Sequence, residues 1–201
     1  MGSRMMHLII ADLISDQLGG IDETSFYLGG IAPDAAVRKD RSHFFEGNEA
    51  NYTRVVAYEK FLKKYNELRL HPYILGCYTH LIADQVWLTG FYLPWLRNLM
   101  KTNPDIHKSY HRDFHLLNGR LVEHYGNGSV LMRKLENNCP LMDLEEVTAE
   151  EVKAFIPYVK GDLDYEQKTL DEPLEVFTFE QITGYVETCV DRGVQAIRQL
   201  K

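Results

Sequence analysis

Residues 71–96, HPYILGCYTHLIADQVWLTGFYLPWL, are almost entirely apolar, yet His80 and Asp84 fall in the middle of the run. The run is too long for a strand and predicts a helix over about 72–100, bent near Pro94. Ile74, Leu75, Tyr78, Leu81, Ile82, Val86, Trp87 and Leu88 leave it apolar nearly all round, which suits the central helix of a bundle. Asp84, Gln85, Gly90 and Pro94 interrupt it too often for a membrane span. An ionised carboxylate in such a helix is costly unless something compensates it. On a helix, His80 and Asp84 stand one turn apart on one face, so their side chains converge. Either they form a buried hydrogen-bonded pair, or they are two ligands of a metal ion.

The rest of the chain reads as helical too, and few segments alternate with period two. Residues 6–18 predict a first helix, ended by Gly19-Gly20. Residues 26–47, with paired glycines and Ala-Pro-Asp, read as a loop with aromatic anchors, and 48–68 as a second helix capped by Asn48. Asn103-Pro104-Asp105 opens a fourth helix that Gly126-Asn127-Gly128 stops near Tyr125. Thr148-x-x-Glu151 opens a short helix ended by Pro157, and Thr178-x-x-Gln181 opens the last one. Segment 159–175 is acidic and reads as an irregular surface connection. The expectation is an all-α fold, a single domain over 1–201 with about six to seven helices around a buried one.

A net charge of −7 argues against a broad nucleic-acid surface, though not against a small phosphorylated substrate held by a metal. Cys77, Cys139 and Cys189 form no CxxC pair, so neither a disulfide framework nor a thiolate zinc site is indicated. The opening MGSRMMHLII has no signal-peptide pattern; MGSR (1–4) reads as a cloning remnant, with Met5 or Met6 as the natural start. A soluble, cytoplasmic protein is expected.

Other polar residues sit beside apolar faces. His7 lies among Leu8, Ile9, Ile10 and Leu13; Asp34 follows Ala32-Pro33; His43 precedes Phe44-Phe45. Two histidines and two aspartates in such segments suit a borderline cation bound by nitrogen and oxygen. His107, His111 and His115 recur every four residues on one stripe, so His111 and His115 could add two nitrogen ligands, with Asp113 angularly displaced. A histidine-rich polar face would look the same. His71 and His124 lie at helix ends, where capping is the simpler role. Arg38, Lys39 and Arg41 could bind a phosphate oxygen. Tyr27, Phe44, Trp87, Phe91 and Tyr92 could wall a pocket or fill the core, and Asp12 and Asp16 read as surface charge.

HLIIADLI, YLGGIAPDA, KDRSHF and LGCYTHLIADQVW, in that order, resemble the zinc-dependent phospholipase C family and, more distantly, the fungal zinc-dependent single-strand nucleases. The resemblance covers roughly the first half of the chain. It implies that Asp34, His43, His80 and Asp84 ligate one metal, and that His7 joins a neighbouring one bridged by Asp84. It further implies catalysis at Asp34, His80 and Asp84, with clustered zinc ions lowering the pKa of water and neutralising phosphoryl oxygens. Secreted members of that family also use a free amino terminus and a downstream HxxxE pair as ligands; no HxxxE occurs here.

The reading that follows is a hydrolase of phosphodiesters or phosphomonoesters. It would use zinc or another divalent transition metal, in one or more ions, on a small phosphorylated substrate or a phospholipid head group. HD-type phosphohydrolases share the ligand types, but their adjacent His-Asp dipeptide is absent. The alternative is a non-catalytic helical protein that keeps a structural or vestigial metal.

Overall fold

The computed structural model describes residues 2–126, 128–136 and 140–200, so Asn127 and Cys139 lie outside it. The chain is all-α, and seven α-helices among the described residues are nine residues or longer. These are α1 (Arg4–Leu18), α2 (Glu23–Ala35), α5 (Pro72–Trp87), α7 (Ile106–Tyr125), α8 (Gly128–Glu136), α9 (Ala149–Asp162) and α10 (Phe179–Arg198). Shorter pieces are α3 (Lys39–Ser42), α4 (Tyr58–Lys64) and α6 (Arg97–Thr102).

Caps set the helix boundaries. Ser3 accepts the Met6 N–H to open α1, Asp22 accepts that of Ser25 to open α2, and Thr148 and Thr178 form capping boxes at α9 and α10. His71 Nδ1 accepts the Tyr73 N–H at 3.2 Å and Pro72 takes the first position of α5, the capping role expected of that histidine. Gly126, in the left-handed region at φ 65, closes α7 by donating its N–H to Val122.

Helix α5 is the centre, buried along almost its whole length and packed by α2, α10, α1 and α4. Its tightest neighbour is α2, and glycine makes the approach. A methyl group on Gly29 would fall 2.0 Å from the Tyr73 carbonyl oxygen, and one on Gly76 2.1 Å from that of Phe26. The Gly-Gly pair expected to mark a loop over 26–47 is therefore inside a helix. It permits backbone contact with α5, and the loop is shorter than expected.

Other boundaries differ as well. The expected helix over 48–68 is replaced by a hairpin pairing Phe45–Glu46 (β1) with Val55–Val56 (β2), followed by α4. The central run continues through Pro94, as expected, but Leu88–Leu96 widens to a π-helical stretch that leads into α6. Pro157 sits within α9, which continues to Asp162. Asp12 is buried, not surface charge, because Lys134 of α8, a helix the local pattern does not announce, reaches it at 2.9 Å. Cys77 and Cys189 are free and buried. No described helix is long and apolar enough to cross a membrane.

Candidate metal centre

The close α2–α5 contact puts two polar faces together. Asp34 stands in the last turn of α2, His80 and Asp84 on α5, His7 in the first turn of α1, and His43 immediately after α3. His7, His43, His80 and Asp84 are all buried, and Asp34 keeps 12% of its side chain exposed. Five residues expected as ligands from four separate segments thus meet at one point. Two overlapping sets, His7–Asp34–His80 and His43–His80–Asp84, have ligand atoms close enough to hold a metal ion.

Hydrogen bonds orient two of the rings. His80 Nδ1 lies 2.7 Å from the Gly30 carbonyl oxygen, and His43 Nδ1 lies 2.9 Å from that of Lys39. A carbonyl oxygen can only accept, so each Nδ1 carries a proton, and the Nε2 of a neutral ring presents a lone pair. Those two Nε2 atoms face each other at 3.4 Å. A neutral His80 has no hydrogen to offer across that gap, and a cation between the two nitrogens would fit it.

The remaining spacings agree. His43 Nε2 is 3.5 Å from Asp34 Oδ1 and 3.3 Å from Asp84 Oδ2, and His80 Nε2 is 3.7 Å from Asp84 Oδ2. Hydrogen bonds of this kind cluster near about 2.9 Å. Ligands at zinc's usual bond lengths stand about 3.3–3.4 Å apart at the corners of a tetrahedron. The His80–Asp84 separation is thus too long for the buried hydrogen-bonded pair that was the simpler expectation. Beside this group, neither ring nitrogen of His7 has a hydrogen-bond partner among the described residues, and its Nε2 is 3.4 Å from Asp84 Oδ1. The His7 ring stacks on His80 with centroids 3.7 Å apart. The donor set, its spacing and the unpartnered imidazole all fit a divalent transition metal.

Electrostatics point the same way. Burial pushes the Asp34 and Asp84 carboxyls up, but the positive charge of the amino terminus and the neighbouring histidines outweigh it and hold both below the usual carboxylate range. Burial pushes His80 down to about 3, so its ring is neutral and available as a ligand near pH 7. Asp34 also lies at the negative end of the α2 dipole, where a cation is favoured and a bare carboxylate is not.

A cleft of about 550 Å³ is lined by Asp34 and His43. Helix α7 supplies Tyr110, His111, Phe114 and His115 to the same lining. Lys39 is at the rim with its Nζ 3.9 Å from Asp34 Oδ1, and Arg4 pairs with Asp162 across the mouth. His111 and His115 thus share the cleft but belong to neither ligand set. Asp113 points elsewhere, accepting the backbone N–H groups of Glu175, Val176 and Phe177.

Of the three cations expected to meet phosphate, Lys39 reaches the cleft and Arg38 pairs with Asp40 outside it. The aromatic wall is Phe45, Tyr110, Phe114 and Phe155. Tyr27 and Trp87 are core. The wall residues come from segments far apart in the chain, and no local pattern marks them. Gly2 belongs to the cleft too; a methyl on it would sit 3.4 Å from His7 Nε2. Compared with protein families, with curated proteins and with solved structures, the chain matches none of them.

Proposed function

We propose that the chain is a metal-dependent hydrolase of a phosphoester, with a zinc ion or similar divalent metal held by Asp34, His43, His80 and Asp84 and with His7 beside it. The observation that carries the reading is the pair of Nε2 atoms of His43 and His80 facing each other at 3.4 Å beside two carboxylates, with Asp34 and His43 lining a cleft. When bound, such a metal supplies Lewis acidity toward a phosphoryl oxygen and activates water. The likeness of the four ligand-bearing segments to the zinc-dependent phospholipase C family favours the same chemistry.

The chain's own residues would do the remaining work. Asp34 and His43 face the cleft, so a substrate oxygen could approach there while His80 and Asp84 stay screened from water. Lys39 and, across from it, His111 and His115 offer hydrogen bonds to a phosphate. Phe45, Tyr110, Phe114 and Phe155 would shelter the esterified group, whether a small soluble ester or a phospholipid head group.

One observation favours the second reading, a structural or vestigial metal. Four protein donors are enough to close a tetrahedral zinc shell with no position left for water. Hydrolysis of bis-p-nitrophenyl phosphate and p-nitrophenyl phosphate by zinc-loaded protein separates the two. The hydrolase reading expects turnover that stops on chelation and returns with zinc. Absence of turnover on both esters with the metal loaded would favour the structural reading.

A further inference from the structure

We infer that Ser42 is a positioning residue for the metal centre: its buried hydroxyl ties the turn carrying Asp34 to the ring of His43, and so sets how tightly the centre holds its metal. The inference rests on the metal-centre reading above.

Ser42 is buried, although it ends a four-residue helix at the protein's edge. Its Oγ lies 2.8 Å from the Pro33 carbonyl oxygen, 3.4 Å from that of Lys39 and 3.0 Å from His43 Nδ1. A hydroxyl has one hydrogen, and the near acceptor is Pro33. Its lone pairs therefore face the Nδ1–H of His43, which is shared between Ser42 and the Lys39 carbonyl. The Pro33 carbonyl is one of the last-turn acceptors of α2 that no helical N–H reaches. One side chain thus satisfies the backbone next to Asp34 and grips the ring of His43.

Removal of the hydroxyl would act on two ligands without touching either. Pro33 would lose its buried partner, and His43 would keep only the carbonyl of Lys39. The backbone of His43 is held separately, by its own N–H on the Lys39 carbonyl at 3.1 Å, so the hydroxyl acts on the ring rather than on the chain. Hydrogen-bond partners behind metal-ligating histidines commonly change affinity by about 10- to 100-fold.

The test compares zinc affinity, by competition with a chromophoric chelator, in the parent and in Ser42→Ala, Ser42→Thr and Ser42→Val. Thr and Val have the same shape and differ in the hydroxyl, so their comparison survives any packing cost. Melting of the metal-free proteins is recorded beside it. The expected result is parent-like affinity for Ser42→Thr, and affinity about 10- to 100-fold weaker for Ser42→Val and Ser42→Ala. Metal-free Ser42→Val should melt below metal-free Ser42→Thr, because it leaves the Pro33 carbonyl without its buried partner, while both variants stay folded. Equal zinc affinity of Ser42→Thr and Ser42→Val would overturn the role of the hydroxyl, as would a loss shared by both. Failure of the parent itself to take up zinc would overturn the metal centre, a different result read in the same experiment.

Discussion

Two buried polar clusters flank helix α2, and they solve the same problem in opposite ways. In the first, Asp12 accepts from Lys134 Nζ at 2.9 Å and from the Tyr27 hydroxyl, which also meets Ser15 at 3.0 Å. Glu23 adds a second carboxylate 3.0 Å from the same ammonium. Every spacing there is that of a hydrogen bond, and Lys134 supplies the positive charge. In the second, Asp84 and Asp34 are surrounded by imidazoles at 3.3–3.7 Å, too far for good hydrogen bonds and right for ligands around a cation. Burial of an aspartate is therefore not in itself the mark of a site. The spacing of what surrounds it is.

The contrast can be broken experimentally. The largest effect should come from removing metal. With free zinc about 1,000-fold above its dissociation constant, binding stabilises by about 4 kcal/mol, or roughly 8–16 °C in melting temperature for a domain of this size. Thermal melts with zinc and after chelation measure it, and identical melts would contradict a metal in the second cluster. Next in size, Lys134→Met takes the ammonium away from Asp12 and should lower stability by about 3 kcal/mol in urea titration. The same variant should keep its full zinc content; losing the metal as well would merge two clusters held here to be independent.

Acid should weaken the metal-free protein in a defined window. His80 is held at about 3 in the fold against an ordinary 6.5, so between those values the unfolded chain binds the extra proton. Stability is thus present above pH 6.5 and is lost as pH falls toward 3. Asp34 and Asp84, held below 3.8, add a loss in the same direction at the acid end. Urea midpoints from pH 7 to 4 check the sign, and a midpoint that rises on acidification would contradict a buried neutral His80. The smallest effect belongs to α7. His111→Asn and His115→Asn should leave zinc content unchanged and stability within about 0.5 kcal/mol, whereas loss of metal would bring α7 into the centre.

The two clusters also mark how far the sequence could be read. His80 and Asp84 were legible because a helix has a fixed period, and polar residues in an apolar run stand out. Asp34 and His43 were legible as residues but not as places. Gly29-Gly30 looks like a turn locally, and only the Tyr73 and Phe26 carbonyls pressing on α2 and α5 reveal a helix contact. Asp12 was misread for the same reason. Its partner Lys134 lies over a hundred residues away in the chain, and periodicity carries no information about that distance. Ser42 left no signal either, since a serine in a charged tetrapeptide is ordinary until Pro33 and His43 are seen on either side of it.

The most direct test is the zinc stoichiometry of protein purified without chelators, loaded, desalted and measured by elemental analysis beside His80→Ala. The metal-centre reading expects at least one tightly held ion per chain in the parent and its loss in the variant. A parent without metal, or a His80→Ala variant that keeps the parent's stoichiometry, would contradict the metal centre.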